Sequence, residues 1–213
     1  MEFHWGLRGL ELCLPRRSVR RIARVLVVRR TGRYDNHMTG KEFLNSLANG
    51  GSDILQVFLH VLTETDTPYC LIGGLAVNAY VEPVVSLDVD IVVAVGNLEA
   101  TCAAAGDRGL KAERFEDSIN FSSPHSDLRI QVQTDPRYQP FIARAEDREV
   151  LGYPMKVASL PDLLQGKVWA YGDQTRRRSK RQKDLADILR LTEAYPDLVE
   201  TLPRILIENL RRI

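Results

Sequence analysis

Residues 72–93 constrain the fold of this chain more than any other stretch, because they combine a glycine pair with two alternating aspartates. Gly73-Gly74 follows a short apolar run, 69–72, that is typical of a strand, and precedes small residues with helical character. Asp88 and Asp90 begin a second apolar run. Because side chains alternate faces along a strand, both carboxylates point the same way. The stretch therefore predicts a strand, a glycine turn, a helix, a loop and a strand with two acids on one face.

This arrangement predicts a magnesium and phosphate site. Two carboxylates on one strand face repel each other unless a cation lies between them, and Mg²⁺ binds such oxygen ligands while taking others from water and substrate phosphates. Gly73 and Gly74 let the backbone approach phosphate, and the following helix start offers unpaired N–H groups. We therefore expect Asp88 and Asp90 to bind Mg²⁺ and the glycines to bind nucleotide, the parts needed for metal-assisted nucleotidyl transfer from a nucleoside triphosphate.

The spacing of these residues resembles that of a known superfamily. Gly-Gly, thirteen residues and Asp-x-Asp are similar to the signature of the DNA-polymerase-beta-like nucleotidyltransferases, and most of all to the bacterial abortive-infection and toxin–antitoxin branch. In that branch the second strand is typically preceded by Gly-x-Pro-Arg-x-Thr. Here Ser86 keeps the hydroxyl, whereas Val84 occupies the arginine position. The resemblance implies that Ser86 lies near the nucleotide.

A second block of the resemblance lies downstream. A helix-borne lysine, a basic stretch and Lys/Arg-Asp-x-x-Asp correspond here to Lys167, to Arg176-Arg177-Arg178 and to Lys183-Asp184-Leu185-Ala186-Asp187. The basic run as a whole extends over 176–183. The resemblance implies catalytic roles for Lys167 and Asp184 and nucleotide binding by Lys183 and Arg178. The residues alone leave other interpretations open: a surface lysine, polar positions of an amphipathic helix and a solvated charged loop.

The resemblance also implies a third carboxylate on a later strand, where it would bind metal or deprotonate the acceptor hydroxyl. The candidate strand, 127–134, carries Gln131 and Gln133 at its centre, and a neutral amide cannot act as a base. Asp127 has the same parity and therefore the same face, so we take it as a further metal ligand; Asp135 would share that face only if the strand continued to it.

The chain of 213 residues is long enough for one good core and a small helical appendage. We expect an α+β fold, a nucleotidyltransferase-like mixed β-sheet flanked by helices, with a nucleotidyltransferase core over 38–158 and a helical C-terminal part over 159–213. Residues 1–37 hold nine arginines and three acids, and are interpreted as a basic extension, disordered or not native, with translation beginning at Met38. The expected elements are helices near 40–48, 52–64, 74–80, 97–106, 159–171, 179–194 and 203–211, a short helix or loop near 138–145, and strands near 69–72, 88–95, 110–115, 118–122, 127–134 and 149–157.

The cysteine pattern, the apolar stretches and the charge balance indicate the compartment and the partners to expect. Cys13, Cys70 and Cys102 form no Cys-x-x-Cys pair, which fits a reduced compartment. The sequence has no apolar stretch long enough for a membrane span and no secretory signal pattern, so we expect a cytoplasmic protein without a membrane partner. Outside the extension the acids outnumber the bases, so any RNA contact must be local.

The leading hypothesis is a Mg²⁺-dependent transfer of a nucleoside monophosphate from a nucleoside triphosphate such as ATP. The acceptor is left open among tRNA, a protein hydroxyl and a small molecule such as an aminoglycoside, and the resemblance implies the toxin of a pair with a cognate antitoxin as partner. Two alternatives remain: a catalytically degraded protein of the same fold that binds nucleotide without turnover, and an interaction module whose surface matters more than its pocket.

Overall fold

A seven-stranded mixed sheet places the aspartate-bearing strand at its centre. The computed structural model describes residues 39–48 and 52–210. The strands are β1 Tyr69–Ile72, β2 Asp88–Val93, β3 Lys111–Arg114, β4 Ser118–Ser123, β5 Ser126–Gln133, β6 Glu146–Val150 and β7 Tyr153–Val157. Their order is β3-β4-β5-β2-β1-β7-β6, in which β2 pairs parallel with β5 and antiparallel with β1. The predicted extension 1–37 lies outside the described residues.

Helices flank this sheet, so the predicted α+β class is confirmed. They are α1 Gly40–Leu47, α2 Ile54–Glu64, α3 Gly73–Val77, α4 Leu98–Asp107, α5 Gln139–Ile142, α6 Leu160–Gly172, α7 Arg178–Ala194 and α8 Arg204–Leu210. Short 3₁₀ turns occupy Val95–Asn97, Pro136–Tyr138 and Pro196–Thr201. The capping box at the start of α1 is present, since Thr39 Oγ1 accepts from Glu42 N at 3.2 Å and Glu42 Oε2 accepts from Thr39 N at 2.9 Å.

One face of β2 and β5 belongs to the hydrophobic core. Val89 and Ile91 are fully buried, as are Ile130 and Val132 on the neighbouring strand. Phe58 of α2 packs on Phe121 of β4, with ring centroids 5.0 Å apart. The alternate residues of β2 and β5 lie on the other face and are polar, apart from Val92 (Asp88, Asp90, Arg129, Gln131, Gln133). Burying one face thus fixes the direction in which both aspartates point.

The prediction of a single strand over 149–157 was wrong. This segment contributes to two antiparallel strands, β6 and β7, joined at Leu151-Gly152. Both turn residues adopt positive φ values, 52° and 83°. In the sequence this run looks like one continuous strand, because only one of the two turn residues is a glycine. The tight turn nevertheless reverses the chain there.

In the described ranges, no helix is both long enough and apolar enough to cross a membrane.

Candidate active site

A cavity of about 320 Å³ opens over the polar face of β2 and β5. Its walls come from that face, from α6 and from the beginning of the basic segment that leads into α7. The charged side chains that line it are Asp88, Asp90, Asp162, Lys167, Arg176, Arg177, Lys180 and Asp184. The structure therefore brings the two sequence blocks, about 80 residues apart, into one site.

The parallel pairing of β2 with β5 sets the neighbours of the two aspartates. Asp90 lies directly beside Gln131, and Asp88 lies beside Arg129. Directly paired residues share a sheet face, so both neighbours point to the same side as the carboxylates. The position expected to carry a third acid thus carries an amide.

Gly73 gives the Asp90 carboxylate its space. Gly73 has a φ of 75°, in the left-handed region that favours glycine. A Cβ built there would lie 2.8 Å from Asp90 Cγ and closer still to Oδ2. Gly74 does not line the cavity; a Cβ there would be 3.9 Å from Asp187 Oδ2, an ordinary contact.

Burial raises the pKa of Asp90. The nearby Lys167 ammonium opposes this rise in pKa, and the Asp88 carboxylate adds to it. Asp88 is held differently, because its side chain is 45 % exposed and its Oδ2 lies 3.2 Å from Lys180 Nζ. The two aspartates thus share a face but differ in environment.

Lys167 and Asp184 form a buried ion-pair cluster. Lys167 is only 7 % exposed, which rules out a surface lysine. Its Nζ lies 3.3 Å from Asp184 Oδ1 and 2.6 Å from Asp187 Oδ2. Arg176 Nε reaches the other oxygen of Asp184 at 2.8 Å. The helix α7 is therefore tied to α6 by charges, and these acids are not solvated helix positions.

The basic run divides between the cavity and the outer surface. Arg176, Arg177 and Lys180 line the cavity. Arg178 and Lys183, the two residues predicted to bind nucleotide, are exposed and lie outside it. Within α7, Lys180 and Asp184 are four residues apart and share one side of the helix, whereas Arg178 points to another side; Arg177 is the residue immediately before the helix.

A clamp on the loop before β2 was not predicted from the sequence. Asn78 brackets Val84 with two hydrogen bonds, accepting from Val84 N at 3.0 Å and donating to Val84 O at 2.7 Å. Arg190 of α7 donates to Asn78 Oδ1 at 3.0 Å and to the Glu82 carbonyl, and pairs with Asp187 Oδ1 at 2.8 Å. Arg190 and Asn78 therefore link the ion-pair cluster to the loop that leads into β2.

Two other predicted residues lie at the margin of the site. Ser86 does not line the cavity, and its hydroxyl contacts the backbone of Asp88, with its Oγ 3.2 Å from Asp88 O. Asp127 is exposed near the start of β5 and also lies outside the cavity. Ser86 therefore shapes the turn into β2, and the structure does not bring Asp127 to the two aspartates.

An aromatic cluster forms the apolar wall. Tyr138 and Phe141 line the cavity, and both pack on Trp169 of α6 at centroid distances of 5.4 and 5.7 Å. Gly166 leaves room for them, because a Cβ there would lie 3.2 Å from Tyr138 Cε1. Sequence reasoning missed this wall, since its members come from three separate elements.

The donor set fits a hard divalent cation that takes most of its ligands from elsewhere. Asp88 and Asp90 offer carboxylate oxygens on one face, which suits Mg²⁺. No cluster of three or more acids, histidines or cysteines arranged for a metal occurs within 39–48 and 52–210. Water and substrate phosphates would have to complete the shell.

The sequence matches no family model and no curated protein. Solved structures do match. The solution structure of the antibiotic-resistance factor ANT(2'')-Ia has a TM-score of 0.51 at 16 % identity, over 75 % of this chain and 90 % of that one. Its crystal structure in complex with adenylyl-2''-tobramycin gives 0.50 at 16 % identity, over 75 % and 95 %. This chain has a nucleotidyltransferase fold. A lower-scoring match is the lincomycin-bound lincosamide antibiotic adenylyltransferase LnuA, with a TM-score of 0.47 at 12 % identity, over 65 % of this chain and 96 % of that one.

The predicted nucleotidyltransferase-like fold is thereby confirmed. At this identity the likeness concerns the fold, and the toxin–antitoxin branch stays a prediction.

Proposed function

We propose that the chain is a Mg²⁺-dependent nucleotidyltransferase that moves a nucleoside monophosphate from a nucleoside triphosphate to an acceptor. The observation that carries this proposal is the convergence of Asp88, Asp90 and the Gly73 turn with four cationic side chains in one cavity. A volume of about 320 Å³ lies at the lower end of small-molecule sites, roughly 300–1,000 Å³, and suits one nucleotide.

Each side chain has a role that follows from its position. Mg²⁺, when bound by Asp88 and Asp90, supplies Lewis-acid polarisation of phosphoryl oxygens. Lys180 orients Asp88, and Arg176 and Arg177 offer positive charge to the triphosphate and the departing pyrophosphate. Lys167 acts through Asp184, because its ammonium is occupied by two carboxylates.

The nature of the acceptor and the biological setting extend this proposal. The crystal structure of ANT(2'')-Ia holds an adenylyl-2''-tobramycin, and the LnuA structure holds lincomycin. For the present chain, RNA, a protein and a small molecule are all acceptors to be tested. A cognate antitoxin is a binding partner to be tested separately. Co-expression with the neighbouring reading frame would test the pairing, since an antitoxin should relieve any growth inhibition.

A second candidate function is nucleotide binding without turnover. The observation that favours it is Gln131, an amide beside Asp90 at the position where a third acid was expected. A binding protein would retain Mg²⁺-nucleotide affinity and transfer no label.

Label transfer from each α-³²P nucleoside triphosphate tests the first proposal. Wild-type protein would be incubated with Mg²⁺, total RNA and cell lysate, beside Asp90→Ala and the matched exposed variant Asp107→Ala. We expect label in wild type and Asp107→Ala and none in Asp90→Ala. Nucleotide binding by calorimetry with no transfer in any sample would favour the second candidate, and neither binding nor transfer would refute both.

A further inference from the structure

On the strands next to Asp90, the side chains paired in register with it are uncharged. Asp90 pairs with Gln131 of β5, and Gln131 pairs with Asn120 of β4. All three share the face that opens into the cavity or borders it. Of these two amides, Gln131 lines the cavity, whereas Asn120 lies outside its lining with its Oδ1 buried.

Apart from Asp90, the described acids that line the cavity are all engaged by cations, so none of them is a free proton acceptor for a hydroxyl. Both oxygens of Asp162 are held by Arg144 at 2.8 and 2.7 Å, and Ser159 adds a bond at 2.8 Å. Asp184 is held by two cations and Asp88 by Lys180. A general base must lie within hydrogen-bond reach of the proton it removes.

The remaining candidates for a base lie too far away or titrate too high. Asp127 is four residues along β5 from Gln131, roughly 13 Å at about 3.3 Å per residue. Tyr138 lines the cavity, but burial raises the pKa of its hydroxyl, so it stays protonated at neutral pH. Asp90 remains, and it belongs to the metal-binding pair.

The polar face of β5 carries a positive charge two residues from Gln131, the position at which an acid was expected. Arg129 lies beside Asp88 and two residues from Gln131, on the same face of β5. It is exposed, lies outside the lining of the cavity next to Gln131, and forms no ion pair with any described residue. A guanidinium binds phosphate through two parallel N–H bonds, and the Gln131 carboxamide can donate as well.

We propose that the acceptor attacks through an oxygen that is already anionic, that of a phosphate monoester, held by Arg129 and Gln131. This inference rests on the proposed function. A phosphate oxygen forms a bond to the α-phosphorus of the nucleoside triphosphate, the bond from that phosphorus to the α–β bridging oxygen breaks, and pyrophosphate leaves. A phosphate monoester has a second pKa of about 6, so near pH 7 the attack requires no proton removal. The product is a phosphoanhydride.

Gln131 is then suited to this reaction. A carboxylate at this position would repel an anionic nucleophile beside Asp90, whereas an amide donates a hydrogen bond to it. The same reasoning separates this acceptor from a hydroxyl, which needs the base that the amide replaces. Gln131 is therefore a residue that determines specificity between acceptors.

Paired acceptors test the inference. With α-³²P nucleotide and Mg²⁺, the arms are an RNA oligonucleotide with a 5'-phosphate and a blocked 3' end, the same oligonucleotide with a 5'-hydroxyl, a sugar phosphate and the free sugar. We expect label only in one or both phosphate arms, and its release by a pyrophosphatase that cleaves phosphoanhydrides. The arm that is labelled tells whether a nucleic-acid end or a small molecule carries the phosphate.

Variants sharpen the result. We expect Gln131→Glu to lower kcat/KM for the phosphate acceptor by about 100-fold, the scale of one positioned catalytic group, and the matched variant Gln56→Glu on α2 to leave it unchanged. Arg129→Ala should raise KM for the phosphate acceptor and not for the nucleotide, with partial recovery in Arg129→Lys; Arg204→Ala is the control.

The failures are distinguishable. Label that enters hydroxyl arms and not phosphate arms, with dependence on Asp90, would overturn the anionic acceptor and leave the nucleotidyltransferase intact. Label in no arm, and none with RNA or lysate, would overturn both.

Discussion

Gly73 faces Asp90 so closely that a Cβ on Gly73 would lie 2.8 Å from the Asp90 carboxylate carbon, a separation that real Cβ atoms do not tolerate. The Gly73 turn and the strand that carries the carboxylates are thus in close contact at the Asp90 side chain. Gly74, the next residue, has open space by comparison, with its nearest neighbour 3.9 Å away.

The two glycines should therefore respond differently to alanine. Gly73→Ala must displace Asp90 and must also place a side chain at positive φ, which costs about 1–2 kcal/mol. We expect it to abolish label transfer and to lower the melting temperature, whereas Gly74→Ala keeps the fold and most of the activity. Equal activity in the two variants would contradict the close fit of Gly73 and Asp90.

Asn78 is expected to position the carboxylates without touching substrate. Asn78→Ala removes both bonds to Val84 and the bond from Arg190, so the loop before β2 loosens. Because each of these three hydrogen bonds contributes about 0.5–1.5 kcal/mol, we expect a stability loss of about 1.5–4.5 kcal/mol. The affinity for Mg²⁺-nucleotide should also fall by about tenfold, measured by calorimetry.

Asn97→Ala is the matched control for this clamp. Asn97 also bonds the backbone through its side chain, at Thr65 and Asp66, but it lies outside the cavity. We expect the Asn97→Ala variant to lose stability and to keep its affinity for nucleotide. If the two variants lose affinity equally, Asn78 acts through stability alone.

The sequence was informative where chemistry depends on local order, and silent where it depends on contact between distant segments. The alternation of Asp88 and Asp90 follows from strand geometry, so their shared face could be predicted. The register that places Gln131 beside Asp90 and the bond from Arg190 to Asn78 depend on how β5 and α7 pack, which no local pattern encodes. The start of α7 likewise separates Arg177, the residue before the helix, from Arg178, its first residue, although both belong to one basic run.

Lys167 should stabilise the fold far more than an exposed lysine. Lys167→Met leaves Asp184 and Asp187 buried without the cation between them, although Arg176 and Arg190 still contact them from outside. Removing one partner of a buried ion pair costs about 3–5 kcal/mol, so we expect a loss of that order in urea unfolding. Lys183→Met, on the exposed side of α7, should change the free energy of unfolding by less than about 0.5 kcal/mol.

Removing the charge of Asp90 should stabilise the protein while it inactivates the site. Burial raises the pKa of Asp90 above its ordinary value of about 4, so the folded state holds this proton more tightly than the unfolded state does. The stability contribution is therefore fully present below the unfolded pKa and is lost as the pH rises through the folded pKa. As the pH rises through the folded pKa, the wild type comes to bear the unfavourable free energy of a buried charge, and Asp90→Asn does not.

We accordingly expect Asp90→Asn to unfold at a higher temperature than wild type at pH 7 without divalent cations. About 1 kcal/mol corresponds to roughly 2–4 °C in a chain of this size. The difference should shrink as the pH is lowered and the wild-type carboxyl takes up its proton. Asp88→Asn, which loses an ion pair with Lys180 at a more exposed site, should not gain stability. Thermal unfolding of the three proteins at several pH values checks the expectation; a wild-type advantage over Asp90→Asn at pH 7 would show that Lys167 outweighs burial at Asp90.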